Sequence, residues 1–445
     1  MHSRGSGFFD FSFTTLTLGN LAVAILFFAV PSKPMELGSL LIAAFLLADM
    51  IIILAVSRIR SEEGWVGITS VVWSTLIALY TVITDRVVAW GKKEEEERLT
   101  GRQESRRSLR EWCAVFTATL IQVILVVVSI LLLATLILRA RDAGVEAPGK
   151  RYYVDGDKYQ IHLACVGNVT YDVYGKRLPT VLIEGGEQPV EDSMLTWVHD
   201  AYKNGTIDRY CFYDRPGLAF SDNAPSPHSA GMTSDALSET LARAGEDGPW
   251  VLVSAGVGGI YSRIFSSRHK EEVRGIILID ALHEDLLYTI ASPARGFLLW
   301  ARGIISPLGY DRLFGAIVKG RKREDRVYGC AAYQNGKFIK AKLQENLVAD
   351  SLTKNEVSQA RHIQSDQTPL VVVSSGINVR KDSEWERKQE QLTKVTKNLI
   401  SWDVVSAAPH EVWQTYEGRQ ALEKRTGELV KKKATLAIPN GPRGS

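Results

Sequence analysis

The sequence predicts an integral membrane protein in two parts: a four-helix transmembrane region, then an α/β domain with a mostly parallel sheet and a helical cap. Two observations predict this. Four apolar runs, each about 20 residues or longer, fill the first third of the chain, long enough to cross a bilayer. From Lys150 onward the pattern changes to short apolar runs separated by helix-like stretches. Strands alternating with helices build a parallel sheet covered on both faces.

The spans are read at residues 11–30, 37–56, 65–84 and 112–138. The first stops at Pro31, and the fourth ends at Arg139. Trp65, Trp90 and Trp112 near span ends fit an aromatic belt, with Arg58, Arg60, Arg86 and Arg139 as interfacial anchors. The runs are too long, and there are too many of them, for a cleavable signal peptide. Asp49 is the one ionisable residue within a span. It reads either as a proton or ligand relay, or as a carboxylate bonded to Ser, Thr or Gln122 of a neighbouring helix. The stretch 91–111 is a charged loop whose mixed signs predict a solvated helix extending a span.

Four spans put the N-terminus and the C-terminal domain on one side. The charged loop carries Lys92, Lys93, Arg98, Arg102, Arg106, Arg107 and Arg110. The positive-inside rule therefore leans toward an internal membrane with the domain on its non-cytosolic side. The sequons at Asn168 and Asn204 agree with that side. The sequence does not identify the organelle.

The chain's 445 residues allow two or three domains, and the net charge of +3 comes from charges of alternating sign without a basic stripe. A nucleic-acid partner is excluded on that ground. Four cysteines are too few for a disulfide scaffold, and none has CxxC spacing. Cys113 lies in a span. Cys165, Cys211 and Cys330 are expected as buried free thiols, with a Cys165–Cys211 bridge as the alternative if the domain faces an oxidising lumen. Neither a metal nor a cofactor is expected.

Within the domain, taken as 150–433, strands are expected at 159–165, 180–184, 209–213, 250–253, 275–280, 370–374 and 402–405. Helices are expected near 194–202, over 233–244 and from Gly258. Residues from about 281 to 368 carry no strand pattern and read as the cap; 434–445 reads as a flexible tail. The cap segment 295–305 bears Phe297, Leu298, Leu299, Trp300 and Ile304. It is expected to pack this apolar face on the core; the alternative is a helix lying in the membrane surface or lining a lipid entry route.

Two runs carry a resemblance. One is Tyr213-Asp-Arg-Pro-Gly-Leu-Ala-Phe-Ser-Asp222, and the other is Gly248-Pro-Trp-Val-Leu-Val-Ser-Ala-Gly-Val-Gly-Gly259. With Pro179 to Gly186 before them and His410 after the last strand, they resemble the α/β-hydrolase fold in the expected order. The resemblance covers most of 151–433 and none of the membrane part. It implies a nucleophile elbow, G-x-S-x-G, after the fifth strand. Matching Val251-Leu-Val to that strand without gaps puts Gly256 in the nucleophile slot, with Gly258 and Gly259 keeping the close helix packing. Glycine cannot attack a carbonyl, and losing the serine of a working triad costs about a million-fold in rate.

Ser254 is the alternative nucleophile, but that register would set Leu252 where a small residue is needed. His410 matches the family's general base. Asp280, at the end of the sixth strand, is the preferred carboxylate to orient it, and Asp382 is the alternative. Backbone N–H groups of Val257 and of Gly186 or Glu187 would form the oxyanion hole, which needs no serine.

Three functions compete. The first is a catalytically impaired, membrane-anchored binding or scaffold module that could take an apolar small molecule or lipid. The second is an active serine-type hydrolase of an apolar ester or lipid. The third is a transporter built on the spans, for which only Asp49 argues.

Overall fold

The computed structural model describes residues 4–101 and 107–431. The expected tail and part of the charged loop lie outside these residues. The chain forms two compact units. One is built from the residues up to Val145 together with Leu299–Val327 and Ala331–Lys340. The other is built from Glu146–Leu298, Tyr328–Cys330 and the chain from Ala341 onward. The insertion read as a cap is therefore divided between the two.

The first unit contains α1 (Phe8–Phe27), α2 (Lys33–Ala55), α3 (Ser57–Thr100) and α4 (Leu109–Asp142). All four are long and apolar enough to cross a membrane. The helix α3 is 44 residues long because the charged stretch continues it, as the mixed charges predicted. At Gly64 the backbone leaves helical geometry (φ 64°, ψ −166°), a conformation open to glycine, and Trp65 follows this kink. A capping box starts α4: the Ser108 hydroxyl accepts from Glu111 N–H while Glu111 accepts from Ser108 N–H.

Phe13, Leu16, Ile42, Leu46, Val71 and Leu132 form the bundle core. Small polar groups join the helices across it. Thr17 donates to Ser74 at 2.7 Å, and Asn20 donates to Thr81 at 2.9 Å. Apolar side chains such as Leu26, Trp73 and Phe116 point outward. At one end of the bundle Arg139 pairs with Glu62 and Glu63 at 2.9 and 2.6 Å. Nearby in sequence, Asp142 binds Arg312 at 2.8 Å and Arg326 at 2.7 Å. Asp49 is buried and neither carboxylate oxygen has a partner among the described residues. Of the two readings of Asp49, the bond to a neighbouring Ser, Thr or Gln122 is not formed among the described residues, and Gln122 donates to Ser39.

The second unit is built on one eight-stranded sheet of order β1-β2-β4-β3-β5-β6-β7-β8. The strands are β1 (Lys150–Val154), β2 (Tyr159–Val166), β3 (Thr180–Glu184), β4 (Tyr210–Tyr213), β5 (Trp250–Ala255), β6 (Val273–Ile279), β7 (Leu370–Ser375) and β8 (Leu399–Val405). β2 pairs antiparallel with β1 and with β4, and the other named pairings are parallel. Residues of β3, β5 and β7 are buried throughout, which is why they read as unbroken apolar runs. Separate cores cover the two faces, one around Trp197 and Phe212, the other around Trp250 and Leu252. The expected helices are α5 (Leu195–Lys203), α6 (Ala230–Ala244) and α7 (Gly258–Arg268).

Two expectations are corrected here. Cys165 and Cys211 face each other across the β2–β4 ladder and are bridged, so they are not free thiols. Cys330 is exposed, not buried. Nor is the apolar face of 295–305 buried: Phe297, Leu298 and Trp300 are exposed. These residues lie on the helix Pro293–Ile305, of which only Gly303 is buried.

Candidate functional site

Two residues, Gly256 and Val257, form the turn that connects β5 to α7. Gly256 occupies its apex at φ +50°, in the left-handed region where a side chain is strained and glycine is not. Its N–H donates to Ile279 O, and its own carbonyl accepts from Leu282 N–H. The following helix packs close because Gly258 lies against the Gly185 carbonyl, and a Cβ on Gly259 would stand 2.6 Å from Ala281 Cβ.

A Cβ built on Gly256 would stand 3.1 Å from His410 Nε2 and 3.8 Å from Gly186 Cα. Ser254 points elsewhere. It lies inside β5, fully buried, with its hydroxyl on Ile277 O at 3.4 Å. The structure thus brings Gly256, His410 and Gly186 together and leaves Ser254 two residues short of the apex.

His410 follows β8 and is half-exposed. Its Nδ1 lies 2.7 Å from Asp280 Oδ2. Asp280 is fully buried at the end of β6, at φ +40°. Its carboxylate also accepts from Ser375 N–H at 3.0 Å, Asn378 Nδ2 at 2.9 Å and Trp385 Nε1 at 2.9 Å. This set of donors fixes the carboxylate in place, and it in turn orients the imidazole. Burial opposes charge on His410, but the Asp280 hydrogen bond and charge outweigh it and hold the imidazole pKa above its ordinary value.

Asp382 is not part of this set. It caps the helix Ser383–Leu392, accepting from Glu384 and Trp385 N–H. Sequence reasoning missed Asn378 and Trp385. Their positions after β7 give no pattern, because they act through one bond each.

The loop after β3 is held by a buried ion cluster. Arg215 Nη1 donates to Glu184 at 2.9 Å, and the guanidinium also contacts the carbonyls of Gly185 and Gly186. Tyr213 donates to the other Glu184 oxygen. Burial pushes the Glu184 carboxyl up to about 7, against the pull of Arg215. Glu187 is pinned by Lys342 at 2.9 Å and Arg295 at 3.5 Å. Burial opposes its ionisation, but these cations hold its pKa down to about 2. Arg215 stood in the quoted Tyr-Asp-Arg-Pro-Gly run, but its grip on the glycine carbonyls becomes visible only in three dimensions. No backbone N–H of Gly186, Glu187 or Val257 donates to a protein acceptor among the described residues.

Solved structures show partial likenesses to this chain at low identity. Over 66% of this chain and 99% of its own length, an α/β-hydrolase enzyme from a Medee basin deep-sea metagenome library is similar at 13% identity and a TM-score of 0.44. The enol-lactonase from Burkholderia xenovorans covers 63% of this chain and 100% of its own, at 12% identity and a TM-score of 0.42. Mouse alpha/beta hydrolase domain-containing protein 10 covers 64% and 100%, at 12% identity and a TM-score of 0.40. These likenesses are of fold alone.

The chain thus pairs an α/β domain built on a mostly parallel sheet with four N-terminal helices long and apolar enough to cross a membrane. It belongs to the family of an uncharacterized protein of Schizosaccharomyces pombe, to which it is 34% identical over 95% of this chain and 84% of that protein. An uncharacterized vacuolar membrane protein of Saccharomyces cerevisiae is 27% identical over 74% of this chain and 60% of its own length. Residues 1–165 match a family model described as a region of unknown function, DUF2417.

Proposed function

We propose that this protein is a membrane-anchored binding or scaffold module whose α/β-hydrolase domain has lost its nucleophile. One observation carries the reading: the residue at the apex of the elbow, facing His410 Nε2, is Gly256. The base and its carboxylate are kept, and so are unpaired N–H groups on either side of the apex. A carbonyl or phosphoryl oxygen can be held by such donors without being attacked. The exposed apolar side chains of Phe297 and Leu298 suit a ligand that is apolar or lipidic.

A second reading is hydrolysis by water, for which the retained His410–Asp280 pair is the support. Turnover of short-chain nitrophenyl esters separates the two. The binding reading expects no turnover above background by the purified full-length chain, and turnover in Gly256→Ser. Turnover by the unaltered chain that is lost in His410→Ala would overturn it in favour of the water mechanism.

The membrane is proposed to be vacuolar, after the Saccharomyces relative, with the domain on the lumenal side. The Cys165–Cys211 bridge supports an oxidising compartment. The sequon residues Asn168 and Asn204 are both exposed. A mobility shift on glycosidase treatment of the cellular protein is expected. Cysteines that remain reduced and sequons that stay unmodified in cells would argue for a cytosolic domain.

A further inference from the structure

Three side chains from separate parts of the domain converge at one buried point. His162 comes from β2, Glu191 from the loop between β3 and α5, and Asp214 from the turn after β4. One ligand atom from each lies within 4.8 Å of the other two. His162 Nδ1 is 2.8 Å from Asp214 Oδ2 and 3.8 Å from Glu191 Oε1. The side chains of His162 and Asp214 are 0% exposed and that of Glu191 is 4% exposed. Phe212 and Phe220 pack their rings against the imidazole, so the surroundings are apolar.

Hydrogen-bond accounting leaves this cluster short of positive charge. His162 Nε2 faces the Pro148 carbonyl, which can only accept. In a neutral imidazole the proton therefore sits on Nε2, and the lone pair of Nδ1 points at the Asp214 carboxylate. An acceptor then faces an acceptor. Asp214 Oδ2 receives Phe220 N–H at 3.1 Å, but Asp214 Oδ1 and both Glu191 oxygens have no partner among the described residues. Two buried carboxylates that have one donor between them apart from the imidazole are costly.

We propose that His162, Glu191 and Asp214 bind a divalent cation that accepts mixed nitrogen and oxygen donors, of the Zn2+ or Mn2+ type. One dication balances both carboxylate charges and uses the lone pairs left over. An imidazole that binds metal through one nitrogen commonly donates from the other to a backbone carbonyl, and Pro148 supplies that carbonyl. The role is structural. The ion ties the loop bearing Gly186 and Glu187 to the turn bearing Arg215, and so fixes the backbone beside Gly256. The site shares no residue with the nucleophile position, so it stands or falls apart from the loss of activity. Its rival occupant is the proton: an imidazolium with one shared carboxylic proton would satisfy the same atoms.

The test is the metal content of the full-length chain, purified in detergent without a metal-affinity step and measured by inductively coupled plasma mass spectrometry. The expected result is about one zinc or manganese per chain, lost in Glu191→Gln and in Asp214→Asn. X-ray absorption of the unaltered protein is expected to give a nitrogen/oxygen shell with one imidazole and no sulfur, whether or not the variants fold. A strong chelator is expected to lower the melting temperature, and added Zn2+ or Mn2+ to restore it. A folded chain without stoichiometric metal, whose melting ignores chelator and added ion, would overturn the proposal in favour of the proton. Metal retained in both variants, or bound through sulfur, would place the ion elsewhere and equally overturn it.

Discussion

His410 Nδ1 sits 2.7 Å from Asp280 Oδ2, while the imidazole's other nitrogen faces Gly256, which has no side chain to receive its help. Under the proposed reading the base is oriented, but nothing stands in front of it to be deprotonated. A Cβ at 256 would lie 3.1 Å from Nε2, tighter than ordinary contact, so the imidazole occupies part of the space a serine would use.

Gly256→Ser is therefore expected to restore reactivity only in part. His410 must withdraw by a few tenths of an ångström, and the serine must accept φ +50°. Labelling of the variant by a fluorophosphonate is expected to be slow, to need neutral His410, and to rise with pH through a midpoint above 6.5. Quantified labelling against pH checks this.

Asp280→Ala removes the acceptor for Ser375, Asn378, Trp385 and His410 together. A loss of about 3–5 kcal/mol is expected, because buried donors are left unpaired. Asp382→Ala removes only a helix cap and is expected to cost about 1 kcal/mol. Denaturant melts of the two variants give the comparison.

The disulfide closes a loop spanning 46 residues between two neighbouring strands. Replacing Cys165 and Cys211 by alanine is expected to cost about 2–4 kcal/mol. Reductant is expected to lower the melting temperature of the unaltered chain and not of the variant.

Acid sensitivity follows from Glu284. Burial opposes its ionisation, but Arg263 at 2.6 Å outweighs burial and holds its pKa down to about 2, from an ordinary 4.5. A carboxylate with a depressed folded-state pKa adds stability above the unfolded value and loses it as pH falls through the folded one. Stability is thus expected to drop between pH 4.5 and 2, and Glu284→Gln to flatten that drop. Thermal melts at stepped pH measure it.

In the membrane unit, Asp142→Ala would leave Arg312 and Arg326 buried without their counter-ion. The expected cost is about 3–5 kcal/mol, read as a lower melting temperature in detergent.

Much of this was legible in the sequence because burial writes itself into composition. Strands such as Val251-Leu-Val and Leu370-Val-Val-Val are covered on both faces, so they read as unbroken apolar runs, as do the four spans. The edge strand β1 was missed because Lys150, Arg151 and two tyrosines leave no alternation to detect. The Cys165–Cys211 bridge depends on β2 running antiparallel beside β4, a pairing that sequence order does not contain. For the same reason His162, Glu191 and Asp214 look unrelated until the sheet is assembled. The division of the 281–368 insertion between two units was equally hidden, because amphipathic helices do not name the surface they cover.

The most direct test of the central claim is intact-mass analysis of the unaltered, full-length chain after exposure to a fluorophosphonate. The account predicts no adduct, because the apex of the elbow is Gly256 and Ser254 is buried inside β5. A stoichiometric adduct that maps to Ser254 and disappears in Ser254→Ala would contradict it.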